Sequence, residues 1–122
     1  MMLKPDGIEM KMVGLAISDI EYADLKITRM QQKTLTQQEA EALYAEHKGK
    51  DFFDRNIQHV TSGPVVLIEV EGEGAVGQCR QMIEDFRRRF VNVIELPKNL
   101  VHATSDAANA SIEIDAVFGK NA

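Results

Sequence analysis

A lone cysteine, Cys79, is the whole thiol content of the sequence, so no internal disulfide can form and no pair of thiols can grip a metal. Long apolar runs are missing too: none approaches the ~18 residues that a bilayer-spanning helix requires. The start shows no charged-then-apolar leader of the kind that directs secretion. Positive charge is in deficit, with a net of −5 over 122 residues. A general polyanion binder, which must neutralise many phosphates, is therefore not expected, although one small, locally basic pocket is compatible with that balance. Repeats, linkers and low-complexity stretches are absent as well. These absences lead us to expect a reduced, cytoplasmic, soluble protein forming one domain over residues 1–122.

What is present is a core-forming composition, 44% hydrophobic, above that of disordered chains. Lys4-Pro5-Asp6-Gly7 reads as a turn after a very short apolar lead. Met12, Leu15, Ala16 and Ile20 recur at helical spacing, and Leu25 and Ile27 then alternate against Lys26 and Thr28 as in a strand. Thr36 with Glu39 forms a capping box that opens a helix through TQQEAEALYAEHK. DFFDRNIQHVTSG predicts a second short helix, stopped at Ser62-Gly63-Pro64 because proline cannot continue it. The unbroken apolar run Val65 to Ile68 predicts a central strand buried on both faces. A turn at 72–74 leads into a helix from Ala75. FVNVIEL, residues 90–96, alternates as a strand ending at Pro97, and a last helix follows with Asp106 as its candidate cap. Four strands with helices between and after them predict an α+β sandwich, its mostly antiparallel sheet covered by helices on one face.

Residues able to carry chemistry are scattered through this pattern. Lys4 stands at a strand end, where its ammonium can point into a cleft. Arg80 falls on a helix, and Arg87-Arg88-Arg89 precedes the strand at 90–96. Such arginines ordinarily form a solvated face, yet three together in an acidic chain are a local concentration of positive charge. Phe52-Phe53 offers either a flat surface for a base or two core aromatics at a helix start. Tyr44 sits on a helix, where a half-buried phenol commonly serves packing. His47 and His59 show no ligand spacing and are expected on the surface. His102, in the stretch NLVHATSD, has nothing metal-like around it, and alone it would read as structural or exposed.

LKPDG, YAEHKGKDFF, TSGPVVLIEVEGEGAV and NLVH, in that order and spacing, make the chain similar to the nucleoside diphosphate kinases from Leu3 to about Phe118. The resemblance implies a ferredoxin-like sandwich and passage of a γ-phosphate from a nucleoside triphosphate to a diphosphate through a phosphohistidine. His102 matches that histidine, and an imidazole can attack when neutral near pH 7, as its unperturbed pKa of ~6.5 permits. Glu113, eleven residues on, matches the glutamate that orients the ring, and Thr104 would supply the hydroxyl usually drawn from serine. Tyr44 matches the tyrosine near the histidine. Lys4 matches the lysine that contacts phosphate and ribose, Phe52 the ring that stacks on the base, Arg80 a phosphate arginine and Asn99 a ribose contact. Counted back from His102 without a gap, Arg89 falls on the second phosphate arginine and Leu96 on the apolar residue across the base from Phe52. Magnesium is implied, carried by the nucleotide phosphates without a protein ligand cluster. The implied partners are nucleoside tri- and diphosphates and further copies of the chain, in a dimer or larger, with no membrane and no specific nucleic acid.

The chain also departs from the family pattern. Between Arg80 and His102 the family carries a Thr-Asn-Pro turn, a protruding loop and a Gly-Thr-Ile-Arg run, where this chain has only QMIEDFRRRFVNVIELPKNLV. Phe86 stands near the place of a phosphate-holding threonine, and any of Arg87, Arg88 or Arg89 could replace the clamp. Ala103-Thr104-Ser105-Asp106 replaces the usual Gly-Ser-Asp, the first strand is short, and Met10 stands where arginine is frequent. These departures leave open an alternative, a nucleotide-binding regulatory or interaction module of the same fold with impaired transfer.

Overall fold

The structure is a computed structural model that describes residues 1–93, 99–104 and 107–119. The elements run β1 (Met2–Leu3), α1 (Pro5–Glu9), α2 (Val13–Tyr22), β2 (Lys26–Lys33), α3 (Gln37–Leu43), α4 (Phe53–Val60), β3 (Val65–Glu71), α5 (Ala75–Arg89), β4 (Val101–His102) and α6 (Ala107–Phe118). Single 3₁₀ turns span Ala45–His47 and Val91–Val93.

The four strands form one sheet in the order β2-β3-β1-β4, every neighbouring pair antiparallel. This is the ferredoxin-like α+β arrangement. The two-residue β1 lies in the middle, with Met2 opposite Leu67 and His102, and Leu3 opposite Val66 and Val101. So short a strand can hold the centre because both of its residues are apolar and essentially buried.

Helices cover both faces of the sheet, where the sequence suggested one. Leu3, Val66, Ile68 and Val101 pack with Ala16 and Ile20 of α2 and with Cys79, Ile83 and Phe86 of α5. Met2, Val65 and Leu67 point the other way, against α3, α4 and Val117 of α6. A run such as Val65 to Ile68 is apolar at both parities, so each face needs its own cover.

Local signals account for most boundaries. Thr36 accepts from the Glu39 amide while Glu39 accepts from the Thr36 amide, and together they close the capping box of α3. Lys4 is the N-cap of α1 with Pro5 in the first turn, so KPDG begins a short helix and is more than a turn. The strand expected at 90–96 does not form where it is described. The helix α5 continues through Arg87, Arg88 and Arg89, cations that suit its C-terminal dipole, and Val91–Val93 is a 3₁₀ turn. The fourth strand comes instead from the NLVH stretch. Asp106, the expected cap of α6, lies outside the described residues.

Candidate active site

His102 ends the short edge strand β4, opposite Met2 of β1. Behind it, Glu113 projects from α6, and the His102 Nε2 meets Glu113 Oε1 at 3.3 Å. Their side chains are only 15% and 11% exposed. A carboxylate only accepts, so the ring proton sits on Nε2 and the lone pair on Nδ1. Burial lowers the His102 pKa from its ordinary value, a shift that the Glu113 hydrogen bond and charge oppose. The imidazole is therefore neutral at neutral pH, with a nucleophilic nitrogen available.

In front of His102 opens a cleft of about 430 Å³, which also touches Lys4, Tyr44, Phe52, Arg80, Arg87 and Asn99. The Tyr44 ring lies 4.9 Å from the His102 ring, tilted by 47°. Its hydroxyl is buried and has no hydrogen-bond partner among the described residues. Burial pushes its pKa up, so it stays a neutral donor. Lys4 is 2% exposed, and its Nζ donates to Asn99 Oδ1 at 2.6 Å. Burial lowers its pKa to about 8, against the pull of Asp6 and helped by Arg87. Arg87 donates from Nη2 to the Val101 carbonyl at 2.5 Å and from Nε to the Asn99 carbonyl at 3.3 Å. Arg55 of α4 completes a lining with four cations and one carboxylate, Glu46. In a protein of net charge −5, that concentration makes the cleft a local anion attractor.

At the outer end Phe52 is 37% exposed, with the His47 ring 5.4 Å away and Lys50 Nζ 5.8 Å from its centroid. Phe52 is the N-cap of α4, which leaves its ring outside the helix body and accessible from the cleft. An aromatic face placed so can stack on a flat heterocycle.

The fold thus gathers Lys4, Tyr44, Phe52, Arg80, Asn99 and His102 around one cleft, with Glu113 behind the histidine. Thr104 does not line the cleft; with His102 and Glu113 it borders a small recess on the rear side. Arg89 lies elsewhere, paired with Asp19 of α2 and stacked 5.1 Å over the Phe86 ring. Phe86 is buried in the core and does not line this cleft. The reason for the Arg89 correction is helical phase. Residues 80 and 87 are two turns apart on one face of α5, whereas 89 is rotated by about 180° from 80. Linear distance from His102 along the chain carries no information on that phase. Leu96 falls outside the described residues.

Several cleft residues had no place in the sequence reading. His47, expected on the surface, bridges Tyr44 and Phe52 through its ring. Arg55 and Asn56 follow Phe52 on α4, and Asn56, four residues on, could have been placed by helical spacing. His59 is not on the surface either: its side chain is 8% exposed and its Nε2 lies 2.8 Å from Asp6 Oδ1. Asp6 also accepts the Leu100 amide at 2.9 Å. Burial works to raise the Asp6 pKa, but the His59 and Leu100 hydrogen bonds outweigh it and hold the carboxyl below its usual range.

Leu100 is the bend that leads into β4 and His102. Its φ is +75°, a left-handed value for a branched residue, and the Val101 amide donates to the Asn99 carbonyl at 2.9 Å across it. This is the hydrogen bond of a γ-turn, a strained device. The Leu100 carbonyl accepts the Lys4 amide at 2.8 Å. Gly7 permits that approach, since a Cβ there would stand 2.6 Å from the same oxygen.

Comparison with known proteins gives a consistent answer. The family model described as nucleoside diphosphate kinase matches residues 1–122. The nucleoside diphosphate kinase of Anaeromyxobacter sp. (strain Fw109-5) is 40% identical over 130 residues, covering 98% of this chain and 88% of that protein. That of Ignicoccus hospitalis is 42% identical over 127 residues, covering 96% and 85%. Among solved structures, the Aquifex aeolicus nucleoside diphosphate kinase superposes with a TM-score of 0.85 at 26% identity, covering 96% of this chain and 91% of that one. A halophilic nucleoside diphosphate kinase from Halobacterium salinarum, in complex with CDP, also gives 0.85 at 30% identity, covering 98% and 85%.

Proposed function

The chain belongs to the nucleoside diphosphate kinase family, and we propose that it moves the γ-phosphate of a nucleoside triphosphate to a nucleoside diphosphate through a phosphohistidine on His102. The observation that carries this reading is a neutral imidazole held from behind by Glu113 and facing a cleft with four cations. Relatives named for the kinase activity do not favour the alternative of a binding module without transfer.

In the proposed cycle the base stacks on Phe52 and the ribose meets Lys4 and Asn99. Arg80 and Arg87 receive the phosphates, with Leu96 proposed across the base. The Nδ1 lone pair of His102 attacks the γ-phosphorus, and the bond to the bridging oxygen breaks, so the nucleoside diphosphate leaves with that electron pair. The ring becomes cationic as it takes the phosphoryl group, and Glu113 stabilises the charge through Nε2. Thr104, beside Glu113 in the rear recess, is assigned a supporting role to that carboxylate. The Tyr44 hydroxyl is placed to donate to a phosphoryl oxygen. A second diphosphate then attacks the phosphohistidine and regenerates the neutral ring.

Magnesium is proposed to come in on the nucleotide phosphates, with the cleft's own cations meeting the remaining phosphate charge. Among the described residues no group of three or more His, Cys, Asp or Glu could hold a metal ion, and the cleft lining is mostly cationic. When bound, the ion neutralises phosphate charge. We further propose a homo-oligomer, a dimer or larger, and a cytoplasmic setting. The open edge of the sheet at β2 offers one surface for pairing, and no described helix is long and apolar enough to cross a membrane.

Incubation with γ-labelled ATP and magnesium should put an acid-labile, base-stable label on His102. His102→Ala should lose it, with transfer falling by about 10⁴-fold or more. A folded wild-type protein that takes up no label overturns the reading.

A further inference from the structure

We infer that His59 is a positioning residue for phosphoryl transfer, acting through Asp6 on the γ-turn that aims His102. The inference rests on the function proposed above.

The geometry forms a continuous relay across three elements. His59 on α4 donates from Nε2 to Asp6 Oδ1 at 2.8 Å, joining residues 53 apart in sequence. The other oxygen, Asp6 Oδ2, accepts the Leu100 amide at 2.9 Å. Leu100 is the residue at φ +75°, immediately between Asn99 and the strand that carries His102. A non-glycine residue in that region is strained and persists only where its surroundings over-determine it. Here the determinants are visible: Asp6 holds the Leu100 amide, the Lys4 amide holds its carbonyl, and Arg87 holds the carbonyls on either side. Asp6 is the one side chain that grips Leu100 itself by a hydrogen bond among the described residues, and its carboxylate needs a second partner to keep that orientation.

His59 supplies this partner. His59 does not line the cleft, and its printed side-chain partner is Asp6 rather than His102, so its effect on the chemistry passes through the carboxylate. The charged or titratable groups acting on Asp6 are His59, Lys4, Arg87 and the Tyr44 phenol. Of these, His59 alone bonds the carboxylate from outside the cleft. Without it, Asp6 can rotate, the turn relaxes, and the angle of the β4 strand at His102 drifts. A displacement of a reacting group by a fraction of an ångström is enough to lower a transfer rate about tenfold.

The test compares His59→Phe, which keeps a ring and removes the donor, with His59→Gln, whose Nε2 amide can still reach Asp6. In single-turnover labelling by ATP and magnesium, His59→Phe is expected to slow phosphorylation of His102 about tenfold. ADP binding should stay within about twofold, since Phe52, Arg55 and Arg80 are untouched, and His59→Gln should recover most of the rate. A folded His59→Phe protein with the wild-type rate overturns the inference, as does an equal loss in both variants. Should His59→Phe not fold, His59→Asn takes its place, one carbon too short to reach Asp6. Equal rates for His59→Asn and His59→Gln then overturn it. An unlabelled wild type would defeat the proposed function itself. A labelled wild type with indifferent His59 variants would defeat only this inference.

Discussion

The two sides of His102 are built on opposite terms. Behind the ring and the turn that leads to it, Asp6 and Glu113 are 9% and 8% exposed, and each has a defined partner. In front, Phe52 and Arg80 are exposed, and neither Arg55 nor Arg80 is ion-paired among the described residues. The rear wall has already met the cost of burying charge through hydrogen bonds, so it is rigid before any substrate arrives. The front wall keeps its cations hydrated and accessible, as a site must when a different nucleotide enters in each half of the cycle. In the proposed cycle, the contrast separates residues that set the rate of the chemical step from residues that set affinity.

The largest expected effect probes the rear. Glu113→Gln keeps an acceptor for Nε2 and removes the charge, so binding should be nearly unchanged while kcat falls by about 10²-fold. A steady-state kcat and KM measurement checks this, and a change confined to KM would break the division between the walls.

A smaller effect separates two arginines two positions apart. Arg87→Ala should lower kcat/KM by about tenfold or more, because Arg87 both faces the cleft and holds the carbonyls of Asn99 and Val101. Arg89→Ala should leave kcat/KM within about twofold, since Arg89 contacts Asp19 and Phe86 on another face. If the Arg89 variant proved the weaker enzyme, the helical-phase assignment would be wrong.

The smallest effect is in pH dependence. In the proposed cycle the neutral ring is the nucleophile, and burial lowers the His102 pKa, so phosphorylation should persist below pH 6.5 and fail only at more acid pH. The same shift contributes stability that is fully present above the unfolded histidine value and is lost as pH falls through the lowered folded value. Rates and melting temperatures across the acid range report both. A rate already halved at or above pH 6.5 would mean that the rear wall does not hold the ring neutral.

Much of the fold was legible because its signals are local. The capping box at Thr36 and Glu39, the apolar run at 65–68 and the stop at Pro64 each involve a few neighbouring residues, and each stands where expected. The strand expected at 90–96 failed at its start because alternation over so short a stretch does not distinguish a strand from the 3₁₀ turn at Val91–Val93. His59 was misplaced for a different reason. Its partner, Asp6, is 53 residues away, and no pattern within α4 indicates it.

The sequence by itself determined the kinds of group available for the chemistry. It placed a histidine after Asn-x-x, a lysine before Pro-Asp-Gly, an aromatic pair at a helix start and arginines along one helix. Residue type and short spacing suffice for these, because they follow from covalent order and helical or strand period. Only the tertiary structure decided that Arg87 and not Arg89 faces the cleft, that helices cover both faces of the sheet, and that Asp6 and His59 meet behind Leu100. Those outcomes depend on how distant elements share a buried volume and satisfy one another's polar groups, a condition met only when the whole chain packs.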